Sequence, residues 1–413
     1  MKILNISTYD YGGAGSAVLR INEVLINLNH TSKVVVFNKK SEDQNIIQLT
    51  DGNFILFFKK IHRKFYHEFQ KSLVFKFVEK YNFFNYSEES RYVNPKLFLN
   101  KLDYIPEVII IHYTSHFINF KTIYELQQLT KARIIFNMLD TAFLTGGCHY
   151  SWNCLGYQNK CSDCSALLIK KDLSIKNHSF KTQYLNKMQS VQLVASSSWA
   201  INQAKMSSLF KDFEKSLIYY PIDENIFKPN KFDTTTTKKH ILFGTQDFRV
   251  LGKGIEYFEK ALEELAIILQ KNQINSIEIR IVGGGKSKLK IPSSFKANYL
   301  GKVSIAKLIN EYSKADVFVC SSIEDNGPMM INEALMCGSP VVCFDVGIGP
   351  DLVNNSTGYL AQNFSYKDLA KGIYKVLFES DIEKLKNQSR NLAINKYATR
   401  IVANSWERLV NNI

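Results

Sequence analysis

Ser321-Ser322-Ile323-Glu324-Asp325-Asn326-Gly327-Pro328-Met329-Met330-Ile331-Asn332-Glu333-Ala334-Leu335 is the stretch on which the reading of the fold turns. The apolar run Val317-Phe318-Val319-Cys320 before it reads as a strand, and Cys337-Gly338-Ser339-Pro340-Val341-Val342 after it opens another. Pro328 suits the first position of a helix, Glu333 falls in that helix's second turn, and the helix ends near Gly338. Backbone N–H groups of Gly327, Met329 and Met330 then head the helix, where partial positive charge gathers an anion. Carboxylates in the turn and further up the helix suit hydroxyls flanking that anion. A diphosphate with sugars at both ends fits the layout. The same stretch also reads as an ordinary strand–turn–helix unit with solvated acids in its loop.

Outward from this unit, short apolar runs alternate with amphipathic segments, which is the α/β pattern. Strands are predicted at Ile3–Ile6, Val34–Phe37, Val108–His112, Arg133–Phe136 and Gln192–Ala195. After a break at Tyr220-Pro221-Ile222-Asp223 and the polar run Asp233 to Lys239, they resume at His240–Phe243, Ile277–Val282, Val317–Cys320 and Pro340–Phe344. Two domains are expected, residues 1–222 and 223–389, with ligands at the carboxyl ends of their strands.

The first strand ends in Asp10-Tyr11-Gly12-Gly13-Ala14-Gly15, ahead of a helix with Ala17, Val18, Ile21, Val24, Leu25 and Leu28 on one face. Glycines there let a ligand approach the backbone of Gly13, Ala14 and Gly15. The spacing is not G-x-G-x-x-G, which argues against a dehydrogenase nucleotide site. The second domain opens with His240-Ile241-Leu242-Phe243-Gly244 and runs to Lys253-Gly254-Ile255; Lys253 also reads as a solvated loop lysine. Gly283-Gly284-Gly285, Gly301-Lys302-Val303, Gly347-Ile348-Gly349-Pro350-Asp351 and Thr357-Gly358-Tyr359-Leu360 follow.

In this order and at these intervals the motifs resemble those of family 4 glycosyltransferases, whose acidic motif has two acids separated by seven residues, here Asp325 and Glu333, with Glu324 as an alternative to the first. The resemblance covers nearly the whole chain and is strongest from Leu242 to Ala361. It implies two Rossmann-like doubly wound domains facing each other across a cleft (the GT-B fold), a last helix over residues 390–413 crossing back to the first domain, and sugar transfer from a nucleotide sugar to an acceptor hydroxyl. Retention of configuration and catalysis without a divalent ion or other cofactor are implied with it. Lys253 and an arginine neutralise the departing diphosphate in this scheme. The arginine follows the glycine in relatives, whereas this chain has Thr245 after Gly244, and Arg249 is the nearby substitute. Glu333 binds the ribose; Asp325, Asn326, Gly327, Met329 and Met330 hold the sugar and phosphates; Val303 borders the base. Many relatives carry a His-Asp pair near the transferred sugar. Here Leu139 takes the histidine's place and Asp140 remains. A non-catalytic partner subunit and a sugar-nucleotide epimerase are the alternatives on the same fold.

Cys148, Cys154, Cys161 and Cys164 read C-x5-C-x6-C-x2-C, four of the chain's 7 cysteines. A structural zinc, with His149 able to replace one thiolate, is the sharpest reading; free thiols and a disulfide are the others. Cys320, Cys337 and Cys343 read as core fillers.

Lysine and arginine exceed acids by +14, which points to an anionic partner, and no nucleic-acid module accompanies the charge. The excess concentrates in Phe54–Asn85, where Lys59, Lys60, Arg63, Lys64, Lys71, Lys76 and Lys80 interleave with aromatic residues including Phe57, Phe65, Tyr66 and Tyr81. Such a segment suits an anionic membrane surface, or helices packed on a sheet with snorkelling lysines. No apolar run approaches a membrane span, and Met1-Lys2-Ile3-Leu4 enters a strand directly, so no signal peptide is expected. The expected location is the cytoplasm or the inner membrane face, with a glycan or glycolipid as acceptor.

Overall fold

The computed structural model describes residues 1–50, 79–83, 87–169, 171–230, 238–285 and 289–411. Its chain divides into two compact units: Met1–Ser196 with Ala200–Ile218 and Ala403–Ile413, and Ser197–Trp199 with Tyr219–Val402.

The first unit holds β1 (Lys2–Tyr9), β2 (Thr31–Asn38), β3 (Ile46–Gln48), β4 (Val108–Ile111), β5 (Arg133–Met138), β6 (Val191–Ala195) and β7 (Glu214–Leu217). They form one parallel sheet in the order β3-β2-β1-β4-β5-β6-β7. The second unit holds β8 (Lys239–Thr245), β9 (Ile277–Gly283), β10 (Lys296–Gly301), β11 (Val317–Cys320), β12 (Val341–Phe344) and β13 (Gly358–Ala361). These too are parallel, in the order β10-β9-β8-β11-β12-β13. Both sheets are doubly wound. The chain order reverses between β1 and β4 in one and between β8 and β11 in the other, and crevices outside such switch points take ligands.

Central strands are continuous apolar runs because helices cover both faces. Every residue of β4, β11 and β12 is buried. The helix Gly12–Asn27 turns Ala17, Val18, Ile21, Val24 and Leu25 inward, as its spacing predicts. The helix Met329–Met336 is buried from Ile331 onward, since it packs beside both β11 and β12.

The expected return of residues 390–413 to the first domain is corrected in extent. The helix Ile382–Tyr397 stays with the second unit: Arg390 donates to the carbonyls of Glu224 at 2.7 Å and of Phe227 and Met336 at 2.5 Å each. Crossing falls inside the final helix, Thr399–Asn411. There Trp406 and Val410 are buried, and Arg133 Nη1 donates 3.1 Å bonds to the carbonyls of Leu409 and Val410. A cation on the last carbonyls of a helix also meets the negative end of its dipole.

The basic-aromatic stretch Phe54–Asn85 lies outside the described residues except for 79–83. Tyr81, counted there among the aromatics of a membrane-facing segment, is buried; with Phe83 it packs against Cys164, Ala166 and Leu167. No helix among the described residues is long and apolar enough to cross a membrane.

A buried polar chain runs through the first sheet. His112 Nε2 donates to Asn5 Oδ1 and its Nδ1 accepts from Asn137, both at 2.9 Å, while Asn5 donates to Ser32 Oγ at 2.9 Å. Both ring nitrogens are committed in the neutral tautomer, and burial pushes the His112 pKa down to about 3. Below pH 6.5 the unfolded chain takes up a proton that folded His112 refuses, so stability falls as pH drops from about 6.5 toward about 3. The slope from one such group is about 1.4 kcal/mol per pH unit. Denaturant titrations between pH 7 and about pH 4 should show a shallower acid loss in His112→Gln than in the wild type; equal slopes would remove His112 from the acid response.

Candidate active site

Within the second unit, residues at the carboxyl ends of β8 and β11 converge at the switch point. After β8 the chain makes a short turn, Leu251–Lys253, and Gly254 takes a left-handed conformation at φ 62°. A Cβ on Gly254 would lie 1.9 Å from the Ser321 carbonyl oxygen, and one on Gly252 would lie 2.7 Å from that of Glu324. Gly252 O accepts from the backbone of Ile323 at 2.8 Å and Glu324 at 3.2 Å, and Ser321 Oγ donates to Lys253 O at 3.0 Å. Only glycine permits two backbones this close.

This stitching brings Lys253 Nζ onto Asp325 Oδ2 as an ion pair. Asp325 Oδ1 accepts from the Gly327 N–H at 3.1 Å. Two expectations change here. The Gly327 N–H is bonded to a side chain within its own turn, and Lys253 and Asp325, assigned separately to phosphate and sugar, hold each other. Pro328 is the N-cap and carries no side-chain cap bond, so the helix begins one residue later than expected, at Met329. Met329 and Met330 thus head a helix whose positive end lies at the strand terminus.

Glu333 is buried one turn up and accepts a 3.2 Å bond from the Tyr312 hydroxyl. Glu324 is also buried, and Gly347 (φ 60°) packs so close that a Cβ would meet the Asp325 carbonyl oxygen at 2.2 Å. Buried polar atoms in this region without a hydrogen-bond partner include Asn326 Nδ2, Thr245 Oγ1 and both amide atoms of Asn332. Gly244 admits Met330, whose Cε a Cβ there would meet at 2.6 Å.

Arg249 does not join Lys253. Its guanidinium is exposed and bonds Asp247 through Nε and Nη2 at 2.5–3.2 Å, drawing the Asp247 carboxyl down to about 2. Asp247 is the residue the sequence reading lacked, and it occupies the arginine. Val303, half-buried, follows Gly301 at the end of β10 on the sheet's edge. A cavity of about 670 Å³ opens instead at the amino ends of the same strands, lined by His240, Arg280, Asp316, Lys386 and Arg390. Arg280 is paired there with Glu278 and Glu311, and Lys386 with Asp316 and Glu383, so the network is structural in form.

The first unit carries its own cluster at its switch point. A Cβ on Gly15 would meet the Asp10 carbonyl carbon at 2.3 Å, so Gly15 serves close packing, while Gly13 has open space beside it and Ala14 is half-buried. Leu139 packs against Val18, Val34, Val36 and Ile46. Asp140 caps Ala142 N through Oδ1 at 2.8 Å, and its Oδ2 accepts from His149 Nδ1 at 2.6 Å. His149 had been considered only as a stand-in zinc ligand. A histidine nine residues downstream leaves no periodic signal, and only the loop geometry reveals the pair.

The cysteine loop after β5 is fastened to the helix Asp172–Leu185. Lys181 Nζ donates to the carbonyls of Ala142 and Thr145 at 2.7 Å each, Asn177 donates to Gly146 O at 3.0 Å, and Ser174 to Cys161 O at 2.9 Å. Lys181 is fully buried beside Glu88, at 3.3 Å, and Glu88 also pairs with Arg91. Hydrogen bonds and buried ion pairs thus fasten the loop. Cys148, Cys154, Cys161 and Cys164 are free thiols lining one cavity of about 20 Å³. Burial first, then the other three sulfurs, pushes the Cys148 thiol well up. Among the described residues no three His, Cys, Asp or Glu side chains are gathered as a ready metal site.

Residues 239–379 match the family described as Glycosyl transferases group 1. The chain is 23% identical over 187 residues to the amylovoran biosynthesis glycosyltransferase AmsD of Erwinia amylovora, a match spanning 44% of this chain and about half (51%) of that relative. The fold is similar to that of sucrose-phosphate synthase from Thermosynechococcus elongatus, with TM-score 0.66 and 15% identity over 100% of this chain and 98% of that one. It is also similar to HepE of Anabaena, solved in complex with UDP-glucose, with TM-score 0.63 and 12% identity over 100% of both chains.

Gly254→Ala should displace the Lys253 turn, because a methyl group cannot occupy the Ser321 carbonyl and the left-handed conformation is strained. We expect loss of about 1–3 kcal/mol of stability in this unit, read by denaturant unfolding. An unchanged midpoint would show that the turn is not held as described. Over residues 239–379 the chain is thus similar to the group 1 glycosyltransferases, and its fold is similar to that of the solved structures above.

Proposed function

We propose that this chain transfers a sugar from a nucleoside diphosphate sugar to a hydroxyl of a cell-surface polysaccharide or glycolipid, with retention of configuration. The observation that carries the reading is the convergence of Lys253, the amino end of the helix Met329–Met336 and buried Glu333 at the β8/β11 switch point. Lys253 exchanges its partner: the diphosphate takes the ammonium, and Asp325 is released to a sugar hydroxyl. Glu333 binds the ribose, and Asn326 supplies an unspent amide donor. Positive charge fixed in advance beside the leaving diphosphate lowers the barrier without a catalytic divalent ion. The names of AmsD, in amylovoran synthesis, and of the HepE complex with UDP-glucose support the substrate class.

The basic excess suits work in the cytoplasm at the anionic inner face of a membrane. Release of the protein from anionic vesicles by salt would support that placement; equal binding to neutral vesicles would overturn it. We also assign a structural zinc to Cys148, Cys154, Cys161 and Cys164, which would replace crowded neutral thiols by metal-bound thiolates. Protein purified without added metal should carry about one zinc per chain by elemental analysis. Metal-free protein with four titratable thiols would end that assignment.

Lys253→Ala should lower turnover of the nucleotide sugar by about 10²–10³. Glu333→Ala should weaken nucleoside diphosphate binding, because a ribose contact is made in the ground state too. Wild-type protein that neither hydrolyses nor transfers any donor would favour a non-catalytic subunit, and a product still attached to the nucleotide would favour an epimerase.

A further inference from the structure

The first unit presents a continuous row of rings at its own switch point. Tyr9 ends β1, Tyr11 precedes the glycine loop, and Tyr113 follows β4. Ring centroids lie 5.1 Å apart for Tyr9 and Tyr11, 6.0 Å for Tyr9 and Tyr113, and 5.3 Å for Tyr113 and His149, the last pair stacked at 16°. Tyr11 is exposed, Tyr9 and Tyr113 are half-buried, and His149 lies buried behind them. Lys40 Nζ borders the row, 4.0 Å from the Tyr11 centroid.

The polar groups behind the rings are oriented in sequence. A carboxylate only accepts, so His149 Nδ1 carries the proton given to Asp140 Oδ2 at 2.6 Å. His149 Nε2 stands 3.4 Å from the Tyr113 hydroxyl. Burial first, with Asp140 and Tyr9 adding to it, holds the Tyr113 pKa well above its ordinary value, so the phenol stays neutral. The Ser115 side chain also hydrogen-bonds this hydroxyl.

We propose that Tyr9, Tyr11 and Tyr113, backed by His149 and Asp140, form a saccharide-binding platform for the acceptor. A sugar ring has an apolar C–H face and a rim of hydroxyls; tyrosine faces suit the first, and the tyrosine hydroxyls with the bordering Lys40 ammonium suit the second. The proposal rests on the transferase reading for the word acceptor, and on the first unit alone for the site. Tyr113 and the two rings beside it touch the saccharide, and His149 and Asp140 are positioning residues.

The test applies full-length protein to an array of mono- and disaccharides, with and without UDP-glucose, and then titrates the best-bound saccharide. Tyr11→Ala, exposed and outside the core, and His149→Gln should each weaken saccharide binding by about five- to tenfold, the value of one lost contact. UDP affinity should be unchanged in both, and in turnover the saccharide KM should rise while the donor KM stays. Asp140→Asn combined with His149→Gln should be no worse than His149→Gln alone, because the pair acts as one unit. Wild-type protein that binds no saccharide, or Tyr11→Ala and His149→Gln proteins that bind like wild type, would overturn the platform. Saccharide binding without any UDP-glucose binding or turnover would sink the transferase reading and leave the platform standing.

Discussion

The Asp325 carboxylate is the joint of the second unit's site. One oxygen holds the ammonium of a lysine that lies 72 residues earlier in the chain, and the other holds the first N–H of its own turn. The neighbouring backbones are pressed together by Gly252, Gly254 and Gly347, so the carboxylate has little freedom to choose another geometry. A partly buried ion pair gains less from its own attraction than it costs in desolvation unless further hydrogen bonds support it. Here the Gly327 bond provides that support. Under the proposed function the diphosphate would displace this carboxylate from Lys253, beside a helix N-terminus that has no side-chain cap.

The constraint behind this arrangement is topological. In a parallel sheet all strand ends on one side carry the loops, and the reversal of strand order leaves a crevice between two of them. The β8/β11 reversal receives Lys253 and Asp325, and the β1/β4 reversal receives the tyrosine row. At the amino ends of the second sheet the charges are of comparable number but are spent on one another, Arg280 with Glu278 and Glu311 and Lys386 with Asp316 and Glu383. A cavity is therefore not by itself a binding site. At the carboxyl ends Asn326 Nδ2 and Thr245 Oγ1 keep hydrogen-bonding capacity not yet consumed.

Legibility in the sequence followed burial. β4, β11 and β12, buried on both faces, are unbroken apolar runs and were found within one residue of their ends. β3, β7, β10 and β13 were not foreseen. All four are edge strands, and Ile46–Gln48 is only three residues long while Glu214–Leu217 has no buried residue, so neither period nor hydrophobicity marks these two. The acidic motif and its helix were legible because their spacing is local. The Lys253–Asp325 and Arg249–Asp247 pairings were not, since which opposite charges meet depends on how the loops close. Arg249 illustrates the cost: proximity in sequence made it a phosphate ligand, and Asp247, closer still, claims it.

Leu139 explains why the polar group at this point comes from elsewhere in the chain. Its side chain packs against Val18, Val34, Val36 and Ile46, so it belongs to the apolar layer between the first helix and the sheet. A histidine there would have to bury a polar ring without partners, which costs more than a hydrogen bond returns. Asp140, the next residue, faces the loop instead and is fixed by capping Ala142. Its second oxygen then needs a donor, and His149 is delivered to it by a loop that Lys181, Asn177 and Ser174 pin to the helix behind. The buried Glu88, Arg91 and Lys181 group thus reaches the tyrosine row through the loop: it fastens the loop, the loop carries His149, and His149 meets the Tyr113 hydroxyl.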